Sequence, residues 1–292
     1  MRVTHGSIAK NVLANLQGNI NRMSDTQQRL SSGKQINRPS DSPSGTASAM
    51  EMRAQLAQQQ QYVRNVDDGM AWLNAADGAL QGVDEKLARA RSIVLQGMSA
   101  GSSGQTTREA LAADIRALSE SIRVDANTTY LNRPVFAGNS NKSEAYTAAG
   151  AFNGDGGQVV RTVGSNTKVA VNVDGKAVFG DGADSIFNVL STIATKLETD
   201  PGALTAELDR LDVRAATIRN GLSTVGARSN QLERMRQSAD DMALNVSQSL
   251  SDVEDIDLPQ TITDLQLQQT AYQAALAAGA RVVQPSLIDF LR

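Results

Sequence analysis

Every seventh residue from Leu204 onward is apolar: Leu204, Leu211, Ile218, Val225, Leu232, Ala239, Val246 and Val253. A sustained period of seven predicts a helix packed along its whole length against other helices. At 1.5 Å per residue such a helix runs about 75 Å, longer than the side of a compact enzyme domain. The second seam position is weaker, since Leu208, Ala215 and Leu222 give way to Ser229 and Arg236 before Ala243 and Leu250. Small and polar seam residues predict a multi-helix bundle rather than a two-stranded zipper. An earlier heptad runs through Ala49, Met52, Leu56, Gln59, Val63, Val66, Met70 and Leu73, skips one residue, and continues as Ala76, Leu80, Val83, Leu87, Ala90 and Val94.

Both ends of the chain carry helical stripes of their own. Ile8, Val12, Leu16, Ile20, Met23, Gln27 and Leu30 recur at spacings of three and four, and Gly33 supplies a left-handed stop. Turn chemistry follows from Asn37 to Pro43. At the other end Ile262, Leu265, Gln269, Tyr272, Leu276, Gly279 and Val283 form the last stripe. Between the heptads, a Gly/Ser loop at residues 99–104 predicts an antiparallel helical hairpin. The capping-box spacing of Thr106 and Glu109 then starts a helix carrying Leu111, Ile115, Leu118 and Ile122. The 6 prolines, at positions 39, 43, 134, 201, 259 and 285, all fall at edges of periodic segments.

From about Gly138 to Gly182 the helical period vanishes, and nine of the 23 glycines lie in this window. Val169, Val171 and Val173 alternate with polar or small residues, Asp174-Gly175 reads as a tight turn, and Lys176 to Phe179 as the returning strand. Gln158 to Val163 reads as a third strand. Helix resumes near Ser185, with Phe187, Leu190, Ile193 and Leu197, and Asp200-Pro201 caps the long heptad helix. The predicted fold is therefore mainly α: an elongated multi-helix coiled-coil bundle formed by both chain ends, with a small β-rich insert domain.

Composition agrees, because aromatics are only 3% and the helical stripes are rich in alanine. A net charge of -3 argues against a nucleic-acid partner. No stretch is apolar for long enough to insert in a membrane, and the amino terminus lacks the pattern of a cleaved secretory signal. Residues 1–40 hold six Arg/Lys against Asp25 alone, whereas residues 252–292 hold six acids against Arg281 and Arg292. Opposite signs favour pairing of the two ends, although each exposed pair contributes little.

Candidate chemistry is sparse. The chain has no cysteine and 1 histidine, His5, so neither a zinc site nor a histidine triad can be assembled within it. Gly33-Lys34 lacks the upstream glycine of a phosphate loop, and Gly154-Asp155-Gly156-Gly157 precedes no helix. Asp181/Asp184 and Glu254/Asp255/Asp257 miss calcium-loop spacing. Trp72 beside Leu73 reads as bundle packing, and Asn127-Thr128-Thr129 fits a glycosylation sequon that often occurs by chance. No catalytic residue, cofactor or metal is expected.

A more specific signal lies in Leu30-Ser31-Ser32-Gly33-Lys34-Gln35-Ile36-Asn37, Asn65-Val66-Asp67-Asp68-Gly69, Gly78-Ala79-Leu80 and the closing Ser286-Leu287-Ile288-Asp289-Phe290-Leu291-Arg292. These resemble the two terminal regions of bacterial flagellins. Within that superfamily three blocks look more like the hook-filament junction members, hook-associated protein three, than like filament flagellin. They are Asn37 to Pro43, Ala126 to Gly138, and Asp255-Ile256-Asp257 with Thr261-Ile262 and Gln268-Gln269-Thr270-Ala271. The Leu291-Arg292 end is flagellin-like and keeps filament flagellin open as an alternative. An intracellular coiled-coil scaffold is the other alternative.

The resemblance implies a non-enzymatic subunit of the bacterial flagellum, exported by the flagellar secretion route with no cleaved signal peptide. Its implied partners are further copies of itself, a preceding hook-associated protein, flagellin, and an export chaperone or the export apparatus. Residues 1–45 with 255–292 would form the terminal helical assembly region, 46–135 with 185–254 a helical rod, and 136–184 a small β-rich outer domain. The assembly interface would comprise Ile8, Val12, Leu16, Ile20, Met23, Leu30, Ile262, Leu265, Tyr272, Leu276, Val283, Leu287, Phe290 and Leu291. A terminal helix with one apolar face has nothing to bury alone and is expected to order against neighbouring subunits.

Overall fold

The computed structural model describes residues 5–99 and 104–283, with side-chain surroundings for 10–99 and 104–280. Its elements in chain order are α1 (His5–Ser32), α2 (Pro43–Ser99), α3 (Gln105–Ala126), β1 (Thr129–Tyr130), β2 (Arg133–Pro134), β3 (Val160–Thr162), β4 (Lys168–Ala170), α4 (Gly175–Phe179), α5 (Ile186–Thr199), α6 (Leu204–Glu254) and α7 (Leu258–Val283). The chain divides into two compact units, Met1–Ala57 with Ala243–Arg292 and Gln58–Met242. Helices α2 and α6 contribute residues to both.

The larger unit holds the hydrophobic core, which draws on residues from Val66 to Leu232. The long seam of α6 is real: Leu204, Leu211, Ile218, Val225, Leu232 and Ala239 are buried, and Val246 and Val253 are half-buried. On α2, Val66, Leu73, Ala76, Leu80, Val83, Leu87, Ala90 and Val94 are buried. The ion pairs Asp67–Arg236, Asp84–Arg219 and Arg91–Asp212 record an antiparallel run of α2 beside α6. Exposed pairs of this kind stabilise weakly. Burial of the two seams is therefore the main source of cohesion. Close approach is enforced at Gly97, where an added Cβ would lie 2.3 Å from Leu197 Cδ2.

Several local expectations need correction. Helix α3 begins at Gln105 after Gly104, with no side-chain cap, so the Thr106/Glu109 capping box does not form. Glu109 instead accepts a hydrogen bond from Gln105 Nε2 at 2.9 Å. The hairpin expected around Asp174-Gly175 is not formed either. Lys176 to Phe179 lies in a short helix, because Asp174 turns its carboxylate to the Lys176 backbone N–H and acts as an N-cap. The hairpin of the insert is β3 paired antiparallel with β4, Arg161 facing Val169. Its strand Val160–Thr162 lies inside the expected 158–163 segment. Asp200 caps a single 3-10 turn, Pro201–Ala203, from which α6 continues. A second hairpin, β1 with β2, was not expected.

Large rings gather where helices end. Phe136, Phe152, Phe179 and Phe187 surround or approach Tyr146 and one another edge-on or tilted, with centroids 5.0–5.6 Å apart. The Tyr146 hydroxyl lies 2.9 Å from the carbonyls of Gly175 and Gly180, and burial pushes its ionisation far above the ordinary tyrosine range. Gly175 is required here: a Cβ would sit 2.5 Å from the Phe136 carbonyl oxygen. Gly78 on α2 has nothing within 4 Å of that position. Gly175→Ala is therefore expected to destabilise by about 1–3 kcal/mol through overpacking. Gly78→Ala should stabilise by roughly 0.5–1 kcal/mol, since it removes a flexible residue from an open helix face. Thermal melts of the two variants should shift in opposite directions.

Candidate assembly interface

The end-to-end pairing begins at two breaks in helix. Gly33, at φ +70°, closes α1, and its amide donates to the Arg29 carbonyl at 2.9 Å. The following residues pair with the α6–α7 junction through an antiparallel bridge between Lys34 and Asp255. In that bridge the Gln35 amide donates to the Glu254 carbonyl at 2.6 Å, and the Ile256 amide to the Gly33 carbonyl at 3.1 Å. The buried Glu254 carboxylate takes Lys34 on one oxygen and Arg53 on the other, the latter at 2.6 Å. Burial alone would raise this carboxyl, but the hydrogen bonds from Lys34 and Arg53 outweigh it and hold the group below the ordinary range. One member of the basic amino-terminal segment thus meets one member of the acidic carboxy-terminal segment.

From that clasp α7 runs back along α1. Gly279 is buried against Val12, and a Cβ at Gly279 would come within 2.9 Å of Val12 Cγ1. The contact face of α1 carries Val12, Leu16, Met23 and Leu30, and that of α7 carries Leu265, Gln268, Tyr272, Ala275 and Gly279. Every one of these side chains except glycine remains half-buried, and none belongs to the hydrophobic core. Among the described residues the Gln268 Oε1 in this seam has no hydrogen-bond partner. Two helices alone have too little surface to enclose a core, so the pair leaves apolar area in water.

The sequence-predicted residues fall into three groups. Val12, Leu16, Met23, Leu30, Leu265 and Tyr272 line the α1–α7 seam, while Ile20, Ile262 and Leu276 face outward as exposed apolar side chains. Ile8 and Val283 lie on α1 and α7, and their side chains are outside the described part. Leu287, Phe290 and Leu291 lie outside the described residues. The stripe rule missed Leu13, 65% exposed, Leu267, 69% exposed, and Leu258. Leu13 stands seven residues before Ile20, so the missed signal was a second apolar line beside the first.

Other candidates are accounted for by packing. Trp72 is buried and meets Tyr130 edge-on at 5.8 Å. The Asn127 side chain is occupied by Ala145, Tyr146 and the Tyr146 carbonyl, at 2.8 Å each. Among the described residues no group of three or more His, Asp or Glu is arranged to hold a metal ion, and no helix is long and apolar enough to cross a membrane.

Known proteins match across these paired terminal segments and well beyond them. A description of the bacterial flagellin N-terminal helical region matches residues 3–141, and one of the bacterial flagellin C-terminal helical region matches residues 208–291. The flagellin of Halalkalibacterium halodurans is 26% identical over 298 residues, spanning 100% of both chains. The flagellar hook-associated protein 3 of Escherichia coli is 26% identical over 284 residues, 86% of this chain and 87% of that one. Flagellar hook-associated protein-3 from Legionella pneumophila superposes with a TM-score of 0.61 at 16% identity, covering 70% of this chain and 98% of that structure. With both terminal regions of the family matched, together over most of its length, this chain belongs to the bacterial flagellin family.

Proposed function

We propose that the chain is a non-enzymatic structural subunit of the bacterial flagellum that joins a hook-associated layer to the flagellin filament. The observation that carries the structural role is the terminal pair α1–α7, whose described seam side chains are only half-buried around Gly279 and whose outer faces carry Leu13, Ile20, Ile262, Leu267 and Leu276. Further copies supply the missing cover: apolar area left in water by one chain is buried when several such pairs are packed side by side. The stripe residues from Ile8 to Leu30 and from Ile262 to Leu291 form this interface. Export through the flagellar route, with help from a chaperone or the export apparatus, brings the chain to the growing tip.

Placement at the junction is supported by the match to the Escherichia coli hook-associated protein 3 across most of both chains. The blocks at Asn37 to Pro43, Ala126 to Gly138 and Asp255 to Asp257 support it too. Filament flagellin is the second reading, favoured by the end-to-end match to the Halalkalibacterium halodurans flagellin. Deletion of the gene separates the two. A junction subunit should leave hooks without filaments in electron micrographs while flagellin accumulates in the medium. If filaments are missing and no flagellin is released, the filament reading replaces this one. Normal filaments on the deletion strain would overturn both.

A further inference from the structure

The dipeptide Asn-Gly occurs twice in the chain, as Asn153-Gly154 in the insert and Asn220-Gly221 on α6. In this pair a side-chain amide and the next main-chain nitrogen meet most readily, because glycine puts no Cβ in the way. The two copies stand in opposite surroundings. Gly221 lies inside a continuous helix, its amide committed to the carbonyl one turn back. The Gly154 amide donates no hydrogen bond among the described residues, although both neighbouring amides are taken. Asn153 donates to the Ala145 carbonyl at 2.8 Å and Asp155 to the Ala137 carbonyl at 3.2 Å.

The Asn153 side chain is equally unoccupied. Asn127, Asn139 and Asn172 of the same unit each donate a side-chain N–H to a main-chain carbonyl, at 2.8, 3.1 and 2.8 Å. Half-buried Asn153 makes no side-chain hydrogen bond among the described residues. Glycine at 154, by contrast, is imposed by packing: a Cβ there would lie 2.8 Å from the Ala137 carbonyl oxygen. The fold thus demands the residue that makes the pair reactive and leaves both reacting groups without partners.

We propose that Asn153 is a self-modification site, at which the Gly154 nitrogen displaces the side-chain amide and water completes conversion to an acid. The Gly154 nitrogen loses its proton and bonds to the side-chain carbonyl carbon of Asn153. The bond from that carbon to the side-chain nitrogen breaks, ammonia leaves, and a cyclic imide remains. Water opening the ring at the side-chain carbonyl yields aspartate. Opening at the main-chain carbonyl yields isoaspartate, whose main chain runs through the former side chain. One water is consumed and one ammonia released, with no oxidant or reductant.

Isoaspartate adds a methylene to the main chain between two amides that are both pinned, so the bonds to Ala145 and Ala137 cannot both be kept without a shift. Asp155, whose carboxylate accepts from the Asn139 amide at 2.8 Å and the Gly157 amide at 2.9 Å, moves with it. Conversion therefore adds a negative charge to the insert and loosens the loop between Gly138 and Gly157. The inference stands apart from the junction reading, since it concerns the insert alone.

The second Asn-Gly pair is the internal control. Full-length protein is held warm in mildly alkaline buffer, sampled over days and digested with trypsin, and peptides Ser143–Arg161 and Asn220–Arg228 are followed by mass spectrometry. Asn153 should convert at least roughly tenfold faster than Asn220, because the α6 amide must first be released by local opening. In urea that unfolds the chain, the two should convert at similar rates. Isoaspartate, detected through methylation by an isoaspartyl methyltransferase, should appear alongside aspartate. Asn153→Gln should melt like wild type and stay unconverted, since its larger ring closes far more slowly, and chymotrypsin should cut aged wild type after Tyr146 and Phe152 several-fold faster than aged Asn153→Gln. Equal conversion at the two positions in the folded chain, or aspartate at 153 without isoaspartate, would overturn the site. Equal cleavage of the two aged proteins would overturn the loosening.

Discussion

Val225→Asp should unfold the larger unit or leave it only marginally stable. Val225 is buried on α6, one turn from Gly221, whose missing Cβ would touch Val178 and Leu80. A carboxyl placed there loses the apolar burial of the valine and gains no partner. Ionised, it would cost far more than the fold can absorb, so it stays protonated and leaves a buried polar group unpaired. The expected loss is about 3–5 kcal/mol, a large share of the roughly 5–15 kcal/mol available to a domain. The introduced carboxyl has a folded-state pKa above its unfolded value, so the deficit is greatest at neutral pH and shrinks as pH falls towards about 4. Leu244→Asp on the same helix, at a position 68% exposed, should change stability by no more than about 0.5 kcal/mol. Equal melting of the two variants would mean that the seam does not face a core.

The contrast between these sites also marks how far the sequence can be read. Seven-residue periodicity located α6 and α2 because a helix packed throughout must repeat its apolar face, and Leu204 through Ala239 do so without a break. The terminal stripes were legible for the same reason. Segment 175–179 was not: five residues are too few for a period to distinguish helix from strand, and the decision passed to Asp174, whose carboxylate caps Lys176 N–H. Low aromatic content described the helices but concealed a local reversal, since three of the 5 phenylalanines pack with Tyr146 around the insert and a fourth, Phe136, packs on Phe179.

Buried charges were invisible for a different reason. Glu207 is bracketed by Lys196 and Arg210 at 2.9 Å, and Glu254 by Lys34 and Arg53. Glu254 reads in sequence as one of several acids near a helix end. Its burial depends on cations more than 200 positions away, which only the fold brings within reach.

Truncation after Gln260 should separate folding from assembly. It removes Leu265, Tyr272, Leu276 and Gly279, and with them the surface against which Val12, Leu16, Met23 and Leu30 are half-buried. Left alone, α1 has one amphipathic face and no partner, and an isolated helix in water is marginal. The core, however, draws on residues from Val66 to Leu232 and loses none of its members. Its melting temperature should therefore move by less than about 2 °C, while the far-UV helical signal falls by more than the deleted residues account for. In a strain whose sole copy is truncated, hooks should carry no filament. The two readouts fail in different ways. A collapsed melting transition would mean that the larger unit depends on α7 for its own stability, whereas normal filaments would show that the incomplete α1–α7 seam is not where subunits join.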